Sequence, residues 1–385
     1  MVIMAVGWQV YHITGRVLDL GLIGLSQFLP FLCLVLFSGH VADQFDRRMI
    51  IMIGHCSYAL CALLLLNFVR VKIGTTLPIF AVLAILGVTR AFQMPAAQSF
   101  VPTIVPTAAL RSALAINSSA NQIAAIVGPS IGGIVYAIAE ARLARSSGAG
   151  VVYGAAALWL VVAITLIALI AKRRLPSNRS ALSWPTLLHG LHFVWHRKTV
   201  LGAISLDLFA VLFGGATALL PAYTRDVLHA GPEVFGYLRA APGIGAGATA
   251  IWLAFRPVSR QVGVTMFAGV AAFGMATVVL GLTHLFWVAM VALVVLGVGD
   301  MISVFVRSLL VQLQTPDEIR GRVSAVTSVF IGASNELGEF ESGTTAAWFG
   351  LVPAIVFGGV ATIIVTVLWA RVFFPGLWRM QTFEH

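Results

Sequence analysis

Charge is scarce in this sequence. Of its 385 residues only 10% are Asp, Glu, Lys or Arg, against 59% hydrophobic, and the mean hydropathy is +0.96. Such a chain cannot clothe a set of globular domains in a charged, solvated surface. Cysteine is almost absent as well: Cys33, Cys56 and Cys61 all lie in apolar runs without metal-ligand spacing, so they read as packing residues. No nucleotide-binding loop and no soluble segment of domain size is present, so neither ATP nor another cofactor is expected. Acids are scarcer than bases, 14 against 24. The basic surplus is not gathered into a solvated patch, so it does not point to nucleic acid.

What the chain has in abundance is long apolar runs. A helix needs about 20 mostly apolar residues to cross the hydrocarbon layer. Runs of that kind recur at Leu20–Ala42, Met49–Val69, Leu77–Phe100, Ala113–Ala139 and Val151–Ala171, then at Val200–Tyr223, Val234–Phe255, Val264–Leu282, Phe286–Leu313, Val323–Phe349 and Val352–Phe374. A membrane barrel would show short alternating segments instead, so the class is an all-α polytopic membrane protein. The opening MVIMAVGWQVYHITG has neither a basic region before it nor a small-residue cleavage site after it. It reads as the outer half of a first helix whose beginning is missing, not as a signal peptide.

That reading gives six helices on each side of a polar segment, Lys172–Thr199: an N-terminal half over 1–171, a central loop over 172–199 and a C-terminal half over 200–385. With the loop after Asp43 placed inside, about 15 of the 24 Lys and Arg fall in cytoplasmic loops and the tail, about 6 outside and 3 within spans. The central loop and C-terminus are therefore expected to be cytoplasmic. Trp184, Phe193 and Trp195 stand among basic residues in the second half of the loop, which suggests a short interfacial helix. His189, His192 and His196 would share one face of it, as a polar face more readily than a metal site, since no Cys or acid accompanies them.

The charges that do occur are placed in patterns. After the second helix comes GHVADQFDRR, Gly39–Arg48. It resembles the loop signature of the major facilitator superfamily, G-x-x-x-D-R-x-G-R-R, matching at Gly39, Asp43, Arg47 and Arg48 and departing at Gln44 and Asp46. The resemblance implies a charged latch, with Arg322 at the start of the eleventh helix as the partner of Asp43; a short basic loop that only fixes topology is the plainer alternative. The fourth helix carries Leu86, Arg90, Gln93 and Ala97 at the spacing of the superfamily's L-x-x-x-R-x-x-Q-G-x-x-A pattern, with Met94 where glycine is usual. Arg90 lies about 20 Å below the outer end of its helix. An arginine at that depth faces the bundle interior, for transport or for structural pairing. In the fifth helix Gly128, Pro129, Gly132 and Gly133 resemble the antiporter motif G-x-x-x-G-P-x-x-G-G, with Ala124 at its first position. Proline removes a backbone hydrogen bond and the glycines permit close approach, which supplies a bend.

The second half holds Asp207, about 13 Å along its helix from Lys198, and Asp300 and Arg307, seven residues apart on one face of the tenth helix. Similar depth makes Asp207 and Arg307 the better ion pair. In the eleventh helix SNELGEFESG places Glu336 and Glu339 one turn apart, with Glu341 pointing elsewhere. Two neighbouring carboxylates in low dielectric do not both ionise cheaply, which is what a proton-coupled site requires; hydrogen bonds to Ser334, Asn335 or the second helix are the structural alternative. In the superfamily, helices 1, 4, 7 and 10 line the cavity and 3, 6, 9 and 12 face lipid. Arg90, Asp207, Asp300 and Arg307 all fall on cavity helices, and helices 6, 9 and 12 carry no charge in their interiors.

More narrowly, GWQVY, QTPDEIRGRVSAV and SNELGEFESG resemble the bacterial branch of siderophore and macrolide exporters. The resemblance implies a monomeric inner-membrane antiporter that exports a small organic molecule against protons, with Glu336 and Glu339 protonatable, Asp207 and Asp300 secondary, and Arg90 orienting substrate. An importer or uniporter is the alternative within transport, and a non-transporting sensor or scaffold the alternative outside it. An enzyme would need a nucleophile and base or a metal set, which the scattered histidines and arginine-matched acids do not supply.

Overall fold

The computed structural model describes residues 1–106, 109–143, 148–170, 191–256, 258, 260–316 and 319–383; at some helical positions, Gly39, Asp43 and Arg322 among them, the side chain lies outside the description. Among the described residues the ordered elements are helices. They run α1 Val2–Thr14, α2 Val17–Gln44, α3 Arg47–Arg70, α4 Leu77–Ile104, α5 Leu110–Leu143 and α6 Gly148–Leu169. The second set is α7 Lys198–Phe213, α8 Pro232–Phe255, α9 Val262–Leu282, α10 Phe286–Gln314, α11 Arg320–Phe349 and α12 Leu351–Leu368, followed by a short α13 Pro375–Trp378.

Local chemistry sets the ends. α1 stops at Gly15, whose φ of 61° allows its N–H to bond Tyr11 O. Asp46 caps α3 by accepting from the Arg48 N–H at 3.0 Å. Gly350, at φ 93° and ψ 162°, joins α11 to α12 in a backbone conformation that residues with a Cβ rarely adopt. The seventh expected span, Val200–Tyr223, is not one continuous α-helix. At Gly214 α7 gives way to a 3₁₀ stretch, Gly215–Leu219, then Leu220–Ala222 and a π turn, Tyr223–Val227. Two adjacent glycines and Pro221 weaken the α-helical ladder there.

Among the described residues, eight of the helices are long and apolar enough to cross a membrane: α2, α3, α4, α6, α7 with its continuation to Val227, α9, α10 and α12 with its continuation to Phe373. α5, α8 and α11 have the length but carry more polar residues, and α11 alone contains Glu336, Glu339 and Glu341. Large apolar side chains are exposed on these helices, as a lipid solvent allows: Leu158, Trp159 and Leu166 on α6, Met275 on α9, and Phe357 and Ile364 on α12. α6, α9 and α12 contain no Asp, Glu, Lys or Arg.

The chain divides into two compact units. The first holds α1, α2 from Leu22 onward, α3 to α6, and residues 231–236 at the start of α8. The second holds Arg16–Gly21, α7, α8 from Tyr237 onward, and α9 to α12. In the first, α3 packs chiefly on α6 and α4; in the second, α9 packs chiefly on α10 and α12. Around α7 and α10 a core of Leu206, Ala210, Met266, Phe267, Val270, Val306 and Leu310 is buried. α4 and α10 also share a local design. Leu86-Gly87-Val88 corresponds to Leu296-Gly297-Val298, and each glycine receives a backbone carbonyl. A Cβ on Gly87 would lie 2.1 Å from Gln27 O, and one on Gly297 would lie 1.9 Å from Pro242 O. In this register Arg90 corresponds to Asp300, so equivalent positions of the two units carry opposite charge.

Candidate functional site

Asp207 and Arg307 form an ion pair between α7 and α10 in the second unit. They are 5% and 3% exposed, so the pair is buried among the apolar residues of that core. Neither charge is tolerable there alone; each supplies the compensation the other needs after losing water. Asp300 stands two turns from Arg307 on α10. It lines a small cavity with Asp207, Ala210, Val211, Val270, Phe273, Gly299 and Ser303. Both aspartates and the arginine stand out in the sequence as charges in apolar helices; Ser303 does not. A signal existed: Ser303 lies three residues after Asp300 and four before Arg307, the spacing of one helix face.

Glu336 and Glu339 are partly buried on α11. Glu341 is tied within its own helix, accepting from Thr345 Oγ1 at 2.7 Å and Ser342 Oγ at 3.4 Å. The glycine between these acids has a packing function. A Cβ on Gly338 would stand 2.7 Å from Val211 O, and one on Gly215 would stand 2.3 Å from Gly338 O. α11 therefore presses backbone to backbone on the end of α7, at the point where α7 leaves α-helical geometry. The acids are carried on a helix held close to the one that bears Asp207.

In the first unit Arg90 is half-buried, with its guanidinium 5.4 Å from the Phe31 ring centroid. It lines a cavity of about 500 Å³ with Gln27, Tyr58, Leu86 and Trp159 among others. Nearby on α3 and α4, Ser57 and Thr89 hydroxyls are 2.7 Å apart, and Gln93 Nε2 lies 2.9 Å from His55 Nδ1. Of the fourth-helix pattern, Gln93 thus meets α3, Arg90 lies over Phe31 of α2, and Leu86 lines the cavity with Arg90; Ala97 is exposed. α5 runs as a helix through Gly128, Pro129, Gly132 and Gly133. Gly133 packs on Gly236: a Cβ on the former would be 2.7 Å from Gly236 Cα, and one on the latter 3.1 Å from Pro129 O.

The latch residues divide. The side chains of Asp43 and Arg322, and the surroundings of Gly39, lie outside the described residues. Arg47 is partly buried on α3. Arg48 has a different engagement, donating from Nε to Ile167 O at 3.0 Å and from Nη2 to Ala168 O at 2.5 Å. It caps the C-terminal carbonyls of α6, where a cation also meets the negative end of the helix dipole. His189, Trp184 and most of the central loop are outside the described residues; His192 and His196 have ring centroids 4.1 Å apart on residues 191–196. Cys61 is buried, while Cys33 and Cys56 are exposed. Among the described residues no group of three or more His, Cys, Asp or Glu is arranged to hold a metal ion.

Residues 1–381 match the family described as transmembrane secretion effector. The chain is similar to the multidrug efflux pump Tap of Mycolicibacterium fortuitum, 26% identical over 94% of this chain and 91% of that protein. It is also similar to the enterobactin exporter EntS of Shigella boydii serotype 4, 25% identical over 87% of this chain and 78% of that protein. In fold it resembles a solved D-xylose–proton symporter, with a TM-score of 0.74 at 14% identity, covering 98% of this chain and 94% of that one. The chain belongs to the transmembrane secretion effector family, and it is a multi-pass membrane transporter of the major facilitator type, not an enzyme.

Proposed function

We propose that this transporter is a proton-coupled exporter of a small organic molecule of the drug or siderophore class, working by alternating access in the bacterial inner membrane. The observation that carries the reading is the set of ionisable groups inside apolar helices: Asp207 and Arg307 buried as a pair, with Asp300 beside them on the same cavity. Charge inside a membrane helix is costly, and its usual reason is a substrate or proton pathway. The efflux functions named for the pump Tap and the exporter EntS support the direction and the substrate class.

In this reading Glu336 and Glu339 on α11 take up protons, Asp300 is a second protonation site, and Asp207 is held by Arg307. Protonation changes the relative stability of the two access states, which is all that coupling requires. Arg90 orients an anionic or polar portion of the substrate, Gly128 and Pro129 supply a bend in α5, and Asp43 with Arg322 latches one state. The protein acts as a monomer, with the central loop and the C-terminus in the cytoplasm.

Everted membrane vesicles carrying the protein test this directly. A drug or siderophore substrate should accumulate inside when the lumen is acid, and a protonophore should abolish the accumulation. Accumulation indifferent to the pH gradient would refute proton coupling. Reporters fused after Phe374 and within 172–199 should give cytoplasmic signals; an external signal at either would refute the topology.

A further inference from the structure

The cavity between α7, α9 and α10 has a volume of about 10 Å³, at the lower limit of what accommodates one water molecule. Its apolar walls are Ala210, Val211, Val270 and Phe273; its polar groups are the carboxyls of Asp207 and Asp300 and the hydroxyl of Ser303. These three groups are not equivalent. Asp207 is committed to Arg307. Ser303 is 2% exposed, and its Oγ meets no hydrogen-bond partner among the described residues.

Most of the buried threonine hydroxyls of this unit behave otherwise. Thr249, Thr277, Thr362 and Thr366 are buried too, and each turns its hydroxyl onto the carbonyl four residues back in its own helix. Ser303 does not take this bond. A buried hydroxyl is normally satisfied, and one directed into a polar void of water size points to a water there.

We propose that Asp300, Ser303 and a single water molecule form a proton-binding site in which Asp300 is the acid and Ser303 orients the water. In the protonated state the Asp300 O–H donates to the water oxygen, and the water donates to Ser303 Oγ and to the Asp207 carboxylate. The Ser303 O–H donates to the second oxygen of Asp300. When the proton leaves, it passes to the water and onward to solvent; the water then donates to the Asp300 carboxylate, and Ser303 donates to the water. Each state leaves the Ser303 hydroxyl bonded. The ionisable groups around the cavity place the proton on Asp300. From α7 comes Asp207, matched by Arg307 of α10, while α9 contributes only Val270 and Phe273. With the Arg307 cation spent on Asp207, the carboxyl left for a proton is Asp300. That this proton drives export rests on the proposed function; that the site binds it does not.

The test is an infrared pH titration of the purified full chain in lipid nanodiscs, following the carboxylic C=O band of a protonated side chain. The band is expected in the wild type and in Glu336→Gln/Glu339→Gln, and is expected to lose the Asp300 component in Asp300→Asn. Ser303→Ala should shift the frequency of that component and its titration midpoint, and Ser303→Thr should restore both. If Asp300→Asn does not fold, the serine pair carries the test alone. An unchanged band in Asp300→Asn, or an unshifted one in Ser303→Ala, overturns the proposal. So does loss of the band on adding sodium at fixed pH, which would make this a metal-cation site. If the band behaves as expected while vesicle transport ignores the pH gradient, the site stands and the export reading falls. If transport is proton-driven while Asp300→Asn keeps its band, the reverse holds.

Discussion

Replacing Arg307 with glutamine removes the cation from a pair in which both partners are almost inaccessible, 3% and 5% exposed. The remaining carboxylate is then left in a core that includes Leu206, Ala210, Val306 and Leu310, with a cavity of only water size beside it and its guanidinium partner gone. Breaking a buried pair in this way costs about 3–5 kcal/mol, most of it the desolvation of the orphaned charge. The two halves of the pair should differ in how the cost responds to pH. In Arg307→Gln the orphan is a carboxylate, which escapes its charge by taking up a proton, so the deficit shrinks as pH falls. In Asp207→Asn the orphan is a guanidinium, which keeps its charge at any working pH, so that deficit stays flat. The double variant Asp207→Asn/Arg307→Gln leaves two neutral amides able to bond each other and should return to within about 1 kcal/mol of wild type. The assay is thermal unfolding of the detergent-solubilised proteins, read by size-exclusion chromatography from acid to neutral pH. Single variants as stable as the double, or an Arg307→Gln deficit that grows as pH falls, would refute the reasoning.

Three further outcomes follow from particular contacts. Gly87→Ala and Gly297→Ala should each destabilise by about 1–3 kcal/mol or more, because the added Cβ meets a carbonyl oxygen at 2.1 or 1.9 Å; Gly74→Ala and Gly376→Ala, with open space around them, should leave thermal stability near wild type. Arg48→Gln should lower stability by about 1 kcal/mol by freeing the carbonyls of Ile167 and Ala168, and an unchanged melting curve would show that this cap contributes nothing. Glu336→Gln or Glu339→Gln should abolish efflux driven by a pH gradient while substrate binding persists; Glu341→Gln should matter less, since Glu341 is bonded to Thr345 and Ser342 of its own helix.

The helices were legible because bilayer thickness fixes the length of an apolar run. The expected Leu77–Phe100 became α4 Leu77–Ile104, and the expected Phe286–Leu313 became α10 Phe286–Gln314. The extra residues, Val101–Ile104 and Gln314, lie beyond the length a bilayer fixes, and there helix hydrogen bonding, not hydropathy, sets the end. The break in α7 was missed for the opposite reason. Gly214, Gly215 and Pro221 sit inside an unbroken apolar run, so hydropathy carried the span across them, while their backbone preferences did not. The Asp207–Arg307 pairing followed from depth alone, since rise per residue converts sequence position into height in the membrane. Ser303 was invisible because a single serine in an apolar helix usually bonds its own backbone, and only packing reveals that this one does not. Arg48 stands in the latch motif, and the partners it shows come from α6, about 120 residues away in sequence. No local pattern carries such a contact.

The central claim is that substrate leaves as protons enter through carboxyl groups buried in the membrane. The most direct measurement is proton flux into or out of sealed proteoliposomes at the moment substrate is supplied, with a pH-sensitive dye inside. Proton movement opposite to the substrate is expected, proportional to the amount transported and lost in Glu336→Gln/Glu339→Gln, although that variant still binds substrate. Substrate transport at the wild-type rate with no accompanying change in internal pH would contradict it.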